Sequence, residues 1–134
     1  MSQPAQVIAL DVGEVRTGLA RASVIAKIAE PLAVVPTEQV PAKLKELMAE
    51  QTLEALVVGR PRNMSGQETA QSDWTRDWAE QLKKDLDVPI YWQDETLTSH
   101  LAERPGERGH ADAAAAALIL QDFLDSPKSE KLKL

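Results

Sequence analysis

The chain has 134 residues, 43% hydrophobic and 27% charged, enough apolar material for one domain with a core of its own. It contains no cysteine, which excludes disulfides, thiolate metal sites and a cysteine nucleophile. The formal net charge of −6 runs against the basic balance usual in proteins that grip phosphate backbones, so any such grip has to be local.

Residues 6–12 open with the apolar run Gln6-Val7-Ile8-Ala9-Leu10 and predict a buried strand ending at Asp11, followed by a turn through Gly13 and Glu14. Residues 16–22 alternate imperfectly and predict a second strand. Residues 31–35, between Pro31 and Pro36, predict a third, so the chain starts as antiparallel hairpins. Thr37 is placed to cap a helix reaching Glu50, with Pro41 near its start and Leu44, Leu47 and Met48 as its apolar stripe. Residues 54–59 hold Ala55-Leu56-Val57-Val58, a buried strand that leads into a loop at 60–66. Ser65 and Glu68 have capping-box spacing, and Ala70, Trp74, Trp78, Leu82 and Leu86 recur every four residues along the helix that follows. Residues 88–93 predict a fifth strand, 96–103 a short helix stopped before Pro105, and 111–125 a final helix.

The expected order is therefore β-β-β-α-β-α-β-α: an α/β fold with a mixed five-stranded sheet and helices on its faces. Residues 1–125 are read as a single domain and 126–134 as a polar, disordered tail. The longest apolar stretch, 113–120, is too short to span a bilayer. Met1-Ser2-Gln3-Pro4 has neither the basic nor the apolar region of a signal peptide. A cytoplasmic protein without membrane association is expected.

Acids stand at the ends of these elements. Asp11 closes the first strand, Asp94 and Glu95 close the fifth, and Asp112 opens the last helix on the stripe Ala116, Ile119 and Phe123. Converging carboxylates repel unless a cation joins them, so the pattern implies one or two hard divalent ions, Mg²⁺ or Mn²⁺. Side chains alternate across a strand, so one of Asp94 and Glu95 faces the side of Asp11. Glu95 is the first choice and Asp94 the second. Each acid also has a plainer role open to it. Asp11 can cap an Asx-type turn, and Asp112 can stabilise the first turn of its helix. Arg60, Arg62 and Asn63 leave the end of a buried strand, where α/β folds bind anions, and are read either as phosphate contacts or as part of a surface loop whose Pro and Gly shape the turn. Gly13 permits close approach of a ligand to the backbone.

Ile8-Ala9-Leu10-Asp11-Val12-Gly13-Glu14 followed by Arg16-Thr17-Gly18-Leu19-Ala20 resembles the opening of the YqgF/RuvX family. So do Val57-Val58-Gly59-Arg60-Pro61-Arg62-Asn63-Met64-Ser65-Gly66, Asp94-Glu95-Thr96-Leu97-Thr98 and the run from Asp112 to Gln121, in the same order. The resemblance implies a ribonuclease H-like fold and a metal-dependent nuclease with Asp11, Glu95 and Asp112 as catalytic acids. Beyond what the resemblance implies, Asp94 is expected beside them at the metal, and Gly13, Arg16, Arg60, Arg62 and Asn63 are expected to contact substrate. The resemblance further implies processing of the 5′ end of pre-16S rRNA in ribosome biogenesis, with structured RNA and a ribosomal precursor particle as partners. The alternative is resolution of Holliday junctions in DNA recombination and repair, which calls for a homodimer rather than a monomer. The segment 96–111 is shorter and less basic than is usual in the family, and residues 21–24 lack its Ser-Asp-Pro. With the acidic net charge, this keeps a non-catalytic RNA-binding member of the fold as a third reading.

Overall fold

The computed structural model describes residues 4–61, 70–95, 113–126 and 132–133. Strand β1 (Gln6–Val12) lies inside the sheet, antiparallel to β2 (Arg16–Ser23) and parallel to β4 (Leu53–Pro61). Outside β2 lies β3 (Glu30–Pro36), antiparallel; outside β4 lies β5 (Ile90–Glu95), parallel. A two-residue strand, β6 (Leu132–Lys133), closes the far edge antiparallel to β5, and the order across the sheet is β3-β2-β1-β4-β5-β6. The five strands expected from the sequence are thus present. Leu132 and Lys133, within the segment read as a tail, pair with the edge that β5 otherwise presents.

Alternation along the strands builds a core on each face. Ile8, Leu10 and Val12 of β1, with Leu19, Leu56, Val58, Ile90 and Trp92, point to the face covered by α1 (Val40–Glu50) and α2 (Ala70–Asp85). Val7, Ala9, Ala20, Ala22, Ala55 and Val57 point to the other face, where Ala116, Ile119, Leu120 and Phe123 of α3 (Ala113–Asp125) pack on them. Four of those six strand residues are alanines, so α3 can come close to the sheet. Helices therefore cover both faces. Among the described residues of α2, Thr75, Ala79 and Leu82 are buried, as is Leu86 just past its end, while Trp74 and Trp78 lie half-buried at the margin. A strict four-residue spacing drifts around a helix of 3.6 residues per turn, which carries the tryptophans off the centre of the buried stripe.

Thr37 does not cap α1. It begins a 3₁₀ turn (Thr37–Gln39), and the residue before α1 is Gln39, which makes no side-chain cap. The Thr37 hydroxyl is used elsewhere, as described below. The capping-box pair Ser65 and Glu68 and the short helix expected over 96–103 lie outside the described residues.

Helix α3 is fastened to the β2–β3 connection by one side chain. The Gln121 carbonyl oxygen accepts from the Ala29 N–H at 2.9 Å, and its amide nitrogen donates to the Lys27 carbonyl and to Asp125, each at 3.2 Å. Lys27 has φ 56°, a left-handed conformation that a residue with a Cβ adopts at some cost and that its surroundings must hold. The Ser23 carbonyl, accepting from the Lys27 N–H at 3.0 Å, and the Gln121 contact supply that hold.

Candidate active site

Asp11 is the last residue but one of β1 and is half-buried. It shares strand parity with Val7 and Ala9, so it belongs to the face covered by α3. Its cross-strand partner on β2 is Gly18. On the other side, β4 runs from Val58, the partner of Leu10, directly into Gly59. Both glycines are buried. The carboxylate thus stands where the flanking positions on β2 and β4 are glycines and carry no side chain. Gly18 carried no signal in the sequence, because the pairing of 11 with 18 appears only once the hairpin register is known.

Asp94 and Glu95 lie within β5, which runs two residues beyond the predicted end of that strand. Position 95 has the parity of Tyr91, which packs on the α3 side, with its ring 5.3 Å from that of Phe123. Position 94 has the parity of Ile90 and Trp92, which belong to the α1–α2 side. By strand register, Asp11 and position 95 share one face, and position 94 belongs to the other. Asp112 lies outside the described residues. The stripe it was assigned to is buried at Ala116, Ile119 and Phe123, on the same face as Asp11. Among the described residues, no three His, Asp or Glu groups gather into a metal cluster. The donors that the sequence offers here are all carboxylate oxygens, the chemistry that Mg²⁺ and Mn²⁺ take.

The basic and glycine positions divide. Arg60, in register with Asp94, sits on the α1–α2 side with its guanidinium 5.9 Å from the centre of the Trp92 ring. It therefore shares an end of the sheet with Asp11 but not a face. Arg16 begins β2 and is exposed. The Gly13 N–H donates to the Arg16 carbonyl at 2.9 Å, so it is already spent and is no anion donor. What Gly13 contributes is the absence of a side chain. Arg62 and Asn63 lie outside the described residues.

A group that sequence reading did not assign to the site holds the turn after Asp11. The Thr37 hydroxyl donates to the Gly13 carbonyl at 2.6 Å and lies 2.9 Å from the Thr17 hydroxyl. A hydroxyl has one hydrogen, so Thr17 must be the donor of the second bond. Both threonines are buried, and the Thr37 N–H donates to the Val15 carbonyl at 2.9 Å.

Comparison with known proteins agrees with this architecture. The sequence profile of the RuvX family, described as Holliday junction resolvase, matches residues 5–126. A Roseiflexus sp. (strain RS-1) protein named "Putative pre-16S rRNA nuclease" is 36% identical over 139 residues, covering 95% of this chain and 99% of its own. A protein of the same name from Anaeromyxobacter sp. (strain Fw109-5) is 39% identical over 130 residues, covering 88% and 95%. Among solved structures, T. thermophilus RuvC in complex with Holliday junction substrate superimposes with a TM-score of 0.61 at 19% identity, over 97% of this chain and 99% of that one. That likeness identifies the fold as ribonuclease H-like. With a profile match over nearly the whole chain and relatives of this identity and coverage, the chain belongs to the RuvX family.

Proposed function

We propose that this protein is a metal-dependent nuclease that hydrolyses a phosphodiester bond of structured RNA at the 5′ end of pre-16S rRNA, acting in the cytoplasm on a ribosomal precursor particle. The observation that carries this reading is the setting of Asp11: a carboxylate at the end of an interior strand, on the face under α3, with Gly18 as its cross-strand partner. The names of the curated relatives supply the substrate.

In this reading Asp11, Glu95 and Asp112 hold one or two Mg²⁺ or Mn²⁺ ions, and they are the catalytic acids. Strand parity favours Glu95 over Asp94 as the ligand from β5, since position 95 shares the face of Asp11. Bound there, the ion supplies Lewis-acid stabilisation of the charge that builds on the phosphoryl group and the leaving oxygen. The remaining work belongs to the chain. The carboxylates fix the ion against the rigid end of β1. Gly13, Gly18 and Gly59 leave space for the sugar–phosphate strand. Arg16, Arg62 and Asn63 bind phosphates near the site, and Arg60 binds one across the sheet rim. Residues 1–125 act as a single domain in this reading.

The test is cleavage of a 5′-extended 16S precursor RNA with Mn²⁺. Asp11→Asn is expected to lose about 100-fold or more in rate, the scale of removing one charge-stabilising group from a preorganised site. Wild-type rates in Asp11→Asn would refute the assignment. The family description and the RuvC likeness favour one second reading, DNA junction resolution by a homodimer. A strictly monomeric protein, inert on four-way junctions but active on the RNA, would dismiss it.

A further inference from the structure

We propose that Thr37 is a positioning residue for the active site: its hydroxyl, backed by Thr17, latches the β1–β2 turn so that Asp11 and Arg16 keep the geometry needed to hold a divalent ion and a phosphodiester strand. The proposal rests on the nuclease reading above.

The turn at residues 13–15 has little apolar packing of its own. Glu14 is exposed and Val15 is 76% exposed. Thr37 supplies it with two bonds, hydroxyl to the Gly13 carbonyl and N–H to the Val15 carbonyl. The Gly13 N–H closes the turn on Arg16. Thr37 itself is fixed from behind. It follows directly on β3, and three residues later Val40 is fully buried beside Leu44. Thr17, fully buried on β2 and paired in register with Val12, donates into the same hydroxyl. The latch thus joins three places: the residue two beyond Asp11, the residue after Arg16, and the start of the 3₁₀ turn. It belongs to the side of the sheet opposite Asp11, so it acts through the backbone rather than by touching substrate.

Two buried hydroxyls in series at one turn are more than stability requires. An apolar pair of the same shape would fill the space without the cost of burying polar groups, whereas a hydroxyl chain fixes the direction of one particular carbonyl. Gly13 needs such a hold because it lacks the Cβ that narrows backbone freedom in other residues.

Thr37→Val removes the hydroxyl while keeping the shape and the N–H bond to Val15; Thr37→Ser restores the hydroxyl. Three measurements are made on each full-length protein: amide hydrogen exchange at Gly13, Mn²⁺ affinity from paramagnetic broadening at Asp11, and kcat and KM on the precursor RNA. Thr37→Val is expected to speed Gly13 exchange, weaken Mn²⁺ about tenfold and lower kcat about tenfold, the factor that corresponds to roughly 1.4 kcal/mol. Thr37→Ser is expected to recover all three. An active wild type whose Thr37→Val variant, folded by circular dichroism, matches it in Mn²⁺ affinity and kcat overturns the proposal. A wild type that neither binds Mn²⁺ nor cleaves overturns the nuclease reading and this role with it, and it is recognised by which protein fails.

Discussion

Gly18 is the smallest feature with a large expected effect. As the cross-strand partner of Asp11 it lies under α3, where a side chain would project toward the carboxylate and whatever it binds. Gly18→Val is expected to abolish RNA cleavage while retaining the far-ultraviolet dichroism of the wild type; cleavage within threefold of wild type would contradict the open-face account. Asp122 behaves oppositely, since no contact among the described residues ties it to the site. Although Asp122 is exposed at the surface, desolvation by its neighbours, and next the charge of Asp125, raise its pKa above the usual carboxylate value. A raised native pKa means that the folded state prefers the protonated acid. Its contribution to stability is therefore fully present below the unfolded-state pKa and is lost as pH rises through the native one. Asp122→Asn is expected to raise the midpoint of thermal unfolding at pH 7, with the difference shrinking as pH falls through the carboxylate range. Equal midpoints at pH 7 would show that the desolvation is not felt. Single residues were also where sequence reading fell short. Asp11 announced itself by ending an apolar run. Thr37 looked like a helix cap, and its actual partners lie 24 and 20 residues away, at Gly13 and Thr17, in a pairing that no local pattern encodes.

Helix α3 carries the element-scale argument. Its stripe of Ala116, Ile119 and Phe123 was legible as helical spacing, because 3.6-residue periodicity survives in any window long enough to repeat. The strands were legible for a related reason. Interior strands such as β1 and β4 are covered on both faces and so read as continuous apolar runs. Strand β6 was not legible, since two residues hold no period. The clasp by Gln121 was not legible either, because its partners Lys27 and Ala29 lie more than 90 positions away. Truncating Phe123, which fills the α3 face beside Tyr91, is expected to cost about 3–5 kcal/mol, checked by urea unfolding of Phe123→Ala. A loss below 1 kcal/mol would mean that α3 contributes little to the fold.

At the scale of the whole molecule, an acidic chain has to bind an acidic polymer. With a net charge of −6, attraction comes only from local cations, of which Arg16, Arg60 and Arg62 stand nearest the strand ends in sequence. Three phosphate contacts predict a log–log salt slope for single-stranded RNA binding of about −2. Arg60→Gln is expected to flatten that slope by about 0.7 without changing sequence preference. Filter binding between low and moderate salt reads this directly, and an unchanged slope would remove Arg60 from the interface. The opposed faces of Asp11 and Arg60 imply further that a ligand reaching both must pass over the rim of the sheet, as an extended strand can.

Burial of the N-terminal strands by α3 also sets an order of events during synthesis. Val7, Ala9, Ala20 and Ala22 leave the ribosome early, yet the residues that cover them, Ala116 to Phe123, follow roughly a hundred codons later. At 5–20 residues per second that side of the nascent sheet stays bare for on the order of 5–20 s. Alanine-rich and modestly apolar, it is a surface that can wait, and a chain halted before α3 would keep it uncovered for good.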